Sequence, residues 1–217
     1  MMLRLSITVC LLFAICFIAL PKDTTNLTAD QALQKLLQGN KRYMKGAFLH
    51  PDQAPANRID VAKNQNPFAI ILGCSDSRVP PEVIFDQGLG AMSVLRVGGN
   101  VLNDPELGSM EFVVQHFNTP LIMVLGHQKC GAITAALSAG ALPGHVASFV
   151  DPVRPAVERI KGQPGDPVEN GVRANVQFVV DQIKSSGPIL SDLVKSGKLK
   201  VVGAEYNLET GAVEILH

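Results

Sequence analysis

Apolar residues in this chain gather in short unbroken runs rather than alternating with polar ones, a pattern that predicts buried strands. The first run is "PFAIILG" at 67–73, bounded by proline and glycine; "MSVLRV" at 92–97 and "PLIMVLG" at 120–126 repeat it. "LKVVGAEYN" at 199–207 and "GAVEIL" at 211–216 predict a fourth strand and a fifth, joined through "LETG". Between the runs the apolar spacing lengthens to that of helices. Thr28 or Asp30 can cap a first helix that carries Leu33, Leu36 and Leu37 on one face and runs towards Tyr43. A short helix is expected at Pro80 or Pro81, and another from Asp104 to Phe117 with Pro105 and Glu106 in its first turn. Further helices are expected over 130–140, 168–186 and Pro188 to Ser196. Residues 46–66 read as a polar loop holding a short helix, and prolines at 143, 152, 155 and 164 punctuate 141–167 around one amphipathic stretch. Strands alternating with helices predict an α/β fold, a mainly parallel sheet of four to five strands flanked by helices on both faces.

The first twenty residues stand apart from this pattern. One early cation, Arg4, precedes an uncharged apolar run from Leu5 to Leu20 that breaks at Pro21. These are the n-region and h-region of a secretory signal, and the run is short for a span of about 20 residues. No A-x-A site precedes Pro21, and Phe13, Ala14 and Ile15 before Cys16 do not make a lipoprotein site, so a cleaved signal and an uncleaved anchor are both open. Either way, residues 21–27 read as a linker and 28–217 as one catalytic-sized domain, exported to the periplasm or the extracellular space.

Charge adds little. Nineteen basic residues balance nineteen acidic ones, and removing residues 1–20 takes away only Arg4, so no bulk charge recruits nucleic acid or an anionic membrane surface. Cysteine usage matters more. Outside the signal only Cys74 and Cys130 remain, and in an oxidising compartment two cysteines can form one disulfide. Their neighbours favour another reading. Cys74 follows the first apolar run in "ILGCSDSRVPPE"; His127 and Cys130 follow the third in "IMVLGHQKCGA". Functional groups gather at the carboxyl ends of strands in an open α/β sheet, so neighbouring strands would bring two thiolates and an imidazole to one point. That donor set suits zinc, and three protein ligands leave a fourth position open. Asp76 and Arg78 lie close enough to form a bidentate pair, which would keep Asp76 ionised and hold it off the metal. Alternatively Asp76 is itself a fourth ligand. Zinc with two thiolates and a neutral histidine sums to zero charge. Its water should therefore ionise at higher pH than the value of about 7 found with three histidines.

With these residues in place the chain resembles the β-class carbonic anhydrases. "CSDSR" and "HQKC" match that family's two metal motifs. "QGNKRY" (38–43), "RVGGN" (96–100) and "LKVVGAEYNLETGAVEIL" (199–216) resemble its flanking segments, and the similarity spans roughly 28–216. The resemblance implies Zn²⁺ on Cys74, His127 and Cys130. It implies an Asp76–Arg78 dyad that switches between an open site and one closed by Asp76 coordination. It also implies a homodimer or higher homo-oligomer. The expected activity is reversible hydration of CO₂ to bicarbonate and a proton, through attack by zinc hydroxide. Gln65 matches a family glutamine that binds substrate, usually from the partner subunit. Phe112 falls on the pocket wall where plant-like members have tyrosine, and Ser93 where they have phenylalanine. A carbon disulfide or carbonyl sulfide hydrolase on the same fold, and a non-catalytic zinc-stabilised bicarbonate-binding module, are the alternatives. Arg96 is expected to pair with a buried carboxylate, and His50, His116, His145 and His217 qualify as proton acceptors by residue type alone.

Overall fold

The computed structural model describes residues 27–138 and 140–217, so the signal at 1–20 and nearly all of the linker lie outside the described residues. Five strands form one sheet: β1 (Ala69–Gly73), β2 (Met92–Arg96), β3 (Leu121–His127), β4 (Lys200–Tyr206) and β5 (Val213–Leu216). Their order is β2-β1-β3-β4-β5; the first four are parallel and β5 returns antiparallel beside β4. After β1 the chain adds β2 on one side and then crosses to add β3 on the other. The carboxyl ends of β1 and β3 therefore flank the point where strand order reverses, the usual place for a site in such a sheet.

Helices cover both faces: α1 (Ala29–Met44), α2 (Pro55–Val61), α3 (Pro81–Ile84), α4 (Asp104–Phe117), α5 (Gly131–Leu137), α6 (Ala147–Val150), α7 (Arg154–Glu158), α8 (Pro167–Ser185) and α9 (Ile189–Lys195). Along β3 the side chains alternate between two cores. Leu121, Met123 and Leu125 pack with Leu36 of α1 and Ile84 of α3, whereas Ile122 and Val124 pack with Met110 of α4 and Val176 and Val180 of α8. Gly126 lets α8 lie close to the sheet, since a Cβ there would stand 2.5 Å from Val176 Cγ2. A third apolar cluster, with Val101, Ile133, Val153 and Val172, surrounds Cys74 and Cys130.

Thr28 is the residue that caps α1. Its hydroxyl accepts from the Gln31 amide at 3.2 Å while the Gln31 side chain accepts from the Thr28 amide at 2.9 Å. The "QGNKRY" segment at the end of α1 ties distant parts together. Buried Asn40 donates to the Gly211 carbonyl at 2.8 Å and accepts from the Val213 amide at 3.0 Å, fastening α1 to the β4–β5 connection. Arg42 donates to buried Asp86 at 2.6 Å, and the Leu49 and His50 amides donate to the same carboxylate. Burial alone would raise the Asp86 pKa, but Arg42 and the two amides outweigh it and hold the carboxyl below its ordinary range. Tyr43 and Tyr206 join hydroxyls at 2.9 Å, bringing α1 to the carboxyl end of β4.

Two expected elements differ in extent. The helix expected over 130–140 stops at Leu137, where Ser138 takes an extended backbone and its hydroxyl donates to the Thr134 carbonyl at 2.9 Å. The single amphipathic stretch expected in 141–167 is broken by its prolines into α6, a 3-10 turn at 151–153 and α7. Among the described residues no helix is long and apolar enough to cross a membrane.

Candidate metal centre and active site

β1 and β3 are neighbours, and their ends bring three donors together. The sulfurs of Cys74 and Cys130 and a ring nitrogen of His127 all lie within 4.8 Å of one another, and all three residues are buried. Both cysteines are free thiols. His127 is the last residue of β3 rather than the first beyond it, because β3 extends its pairing with β4 as far as His127 opposite Tyr206. Cys130 sits at the N-cap of α5.

His127 is arranged as a ligand. Its Nδ1 lies 2.8 Å from the Gln128 carbonyl, an acceptor, so Nδ1 carries the proton and Nε2 keeps its lone pair. Nε2 is buried and makes no hydrogen bond. A buried polar atom without a partner is costly, and a metal bound between the two sulfurs would satisfy it. Cys74 is the more acidic thiol. The neighbouring Cys130 thiol lowers its pKa most, and His127 and the Asp76 and Gly99 amides add to this against the cost of burial, bringing it down to about 4. The Cys74 sulfur and burial push Cys130 up instead. Burial disfavours a charged His127, but the Cys74 sulfur beside it outweighs burial and raises its pKa. Three donors converging on one point can give up their protons as a divalent cation binds. Two sulfurs and an imidazole are a donor set that fits a transition-metal ion.

Asp76 stands beside these donors, with Oδ2 3.9 Å from His127 Nε2. Arg78 grips both carboxylate oxygens, through Nε to Oδ1 at 2.9 Å and Nη2 to Oδ2 at 2.7 Å; its own amide donates to Oδ1 at 2.9 Å. These bonds, led by the Arg78 side chain, hold the Asp76 pKa down to about 2.

Arg96 corrects an expectation. Among the described residues it pairs with no buried carboxylate; its Nε donates to the Cys74 carbonyl at 3.0 Å and its Nη2 to the Asp76 carbonyl at 2.5 Å. A guanidinium at the end of β2 thus clamps the backbone that carries both Cys74 and Asp76. Gln65 is exposed and precedes β1, at the opposite end of the sheet from the donors of its own chain. Phe112 is exposed on α4 and stacks on His116 with ring centres 3.9 Å apart.

The carbonic anhydrase family model matches residues 69–213, two thirds of the chain and the whole of this site. A carbonic anhydrase of Mycobacterium tuberculosis is 40% identical over 190 residues, covering 86% of this chain and 92% of that protein. The chain belongs to the β-class carbonic anhydrase family. One from Mycolicibacterium smegmatis is 37% identical over 188 residues, covering 85% of this chain and 91% of that one. Among solved structures, a Coccomyxa β-carbonic anhydrase in complex with acetazolamide superposes with a TM-score of 0.66 at 28% identity, covering 85% of this chain and 86% of the other. A tetrameric β-carbonic anhydrase of Sordaria macrospora superposes at 0.68 with 23% identity, covering 85% and 96%, and shares the fold.

Within this family member, three contributors to the site had little or no sequence signal. The Gly99 amide on Cys74 is backbone chemistry, and the Arg96 contacts go to carbonyls that no residue type announces. Asn175 left a trace: it sits on the apolar stripe of α8 made by Val172, Val176, Val179 and Ile183, where a polar residue needs a buried partner.

Proposed function

We propose that this protein catalyses the reversible hydration of carbon dioxide to bicarbonate and a proton at a zinc centre held by Cys74, His127 and Cys130. One observation carries the proposal: the three buried donors converge beside a carboxylate that Arg78 holds by both oxygens. A site meant only to stabilise the fold would gain from Asp76 as fourth ligand and has no use for Arg78. Zinc in this setting would supply a Lewis acid that makes water a competent nucleophile at mildly alkaline pH. Asp76 remains ionised, so it can accept a hydrogen bond from the attacking water and orient its lone pair towards the substrate carbon. Arg78 fixes that carboxylate; for Asp76 to serve as a further ligand it would have to release at least one oxygen from Arg78. Arg96 keeps Cys74 and Asp76 in one frame.

Gln65 and Phe112 complete the substrate pocket in this reading. Because Gln65 lies at the amino end of β1, it reaches an active site only in a partner subunit, which makes the working enzyme a homodimer or higher homo-oligomer. The domain over 28–217 carries the whole reaction, and the segment over 5–20 directs it outside the cytoplasmic membrane.

The test is stopped-flow CO₂ hydration across neutral and alkaline pH, on protein of measured zinc content, with carbon disulfide and carbonyl sulfide as parallel substrates. Hydration that climbs towards alkaline pH is expected, without turnover of either sulfur compound. Zinc-replete protein that hydrolyses the sulfur compounds but leaves CO₂ untouched would overturn the assigned substrate.

A further inference from the structure

The long helix α8 reaches the metal donors through one polar side chain. Asn175 is 1% exposed, and its Nδ2 donates to the Gly99 carbonyl at 2.8 Å. The amide of that same Gly99 donates to Cys74 Sγ at 3.4 Å. Gly99 therefore links a helix side chain on one side to a ligand sulfur on the other. Its backbone is left-handed, with φ at +67°, and a Cβ would stand 2.9 Å from the Ala132 Cβ of α5, so only glycine fits the turn here. Without Asn175 the Gly99 carbonyl would be buried and unpaired. A displacement of Gly99 towards a new partner would move its amide relative to the sulfur.

We propose that Asn175 is a positioning residue for the metal centre: it locks the Gly98–Asn100 turn so that the Gly99 amide stays on Cys74 and tunes that thiolate as a ligand. An N–H donated to a ligating sulfur withdraws electron density, easing deprotonation and leaving the metal the stronger Lewis acid. The inference rests on Cys74 being a zinc ligand, as proposed above. A role confined to satisfying a turn carbonyl would leave the metal's properties unchanged, and that difference is measurable.

The test uses the full chain and Asn175→Leu, which keeps the branched side-chain shape and removes the donor. Zinc affinity is measured by chelator competition, and the sulfur-to-cobalt charge-transfer band is recorded on the Co²⁺-loaded proteins. The variant should bind zinc about 10- to 100-fold more weakly, as for other groups that orient a ligand, and its band should move to lower energy. A folded variant with unchanged affinity and an unmoved band overturns the inference while leaving the zinc assignment intact. Wild-type protein that takes up no zinc overturns both. Should the variant not fold, wild-type protein loaded with ¹¹³Cd decides by nuclear magnetic resonance. Coupling of ¹¹³Cd to the Gly99 amide proton, together with coupling across the Asn175–Gly99 hydrogen bond, supports the inference; the absence of either overturns it.

Discussion

His127→Ala should emerge from purification with well under one zinc per chain and with CO₂ hydration lowered by more than about 100-fold, beyond the usual cost of disturbing groups that merely orient a ligand. His127 offers the only nitrogen of the three donors, and its tautomer is fixed by the Gln128 carbonyl so that Nε2 faces the two sulfurs. Removing it leaves only two of the three converging buried donors. The ring is fully buried at the end of β3, so the cavity will also cost stability, by about 2 kcal/mol or more. Circular dichroism should therefore accompany metal analysis and stopped-flow rates. A folded variant with full zinc and unaltered hydration would remove His127 from the centre.

Asp76→Ala should keep its zinc and lose about 10²- to 10⁴-fold in kcat/KM, the range for losing a positioned acid–base group. Its pH behaviour is equally diagnostic. A carboxyl whose pKa is depressed is ionised above that pKa and loses its contribution only as pH falls through it. With Asp76 held down to about 2 by Arg78, its charge is constant across the working range. The alkaline rise in rate must then come from another group, and the midpoint of the rate profile should stay where it is in the wild type while its height falls. A variant in which the alkaline limb itself vanishes would mean that Asp76 titrates during turnover, contrary to the arrangement described here.

Much of this centre was legible because strand and ligand coincide in sequence. Apolar runs ending at Cys74 and at His127 announced both the parallel strands and the end of the sheet at which the donors gather, and "CSDSR" placed an Asp–Arg pair beginning two residues beyond Cys74. Strand order was not legible. Nothing in the runs themselves says that β1 and β3 are neighbours, and that adjacency is what turns two motifs into one site. Arg96 shows a second limit. Its residue type suggested a carboxylate, but the nearby acceptors were the Cys74 and Asp76 carbonyls, which every residue carries and no sequence distinguishes. Gln65 shows a third: it lies away from the donors of its own chain, so any role in substrate binding depends on how copies assemble. The segment 1–20, read as a signal, lies outside the described residues.

The most direct test of the central claim is to strip the purified protein of metal and titrate zinc back while following CO₂ hydration. Rate should rise linearly and stop at one zinc per chain, and Cys74→Ser titrated in parallel should show neither the break nor the rate. Full activity in metal-free protein, or stoichiometric zinc uptake with no hydration at any pH, would contradict the account.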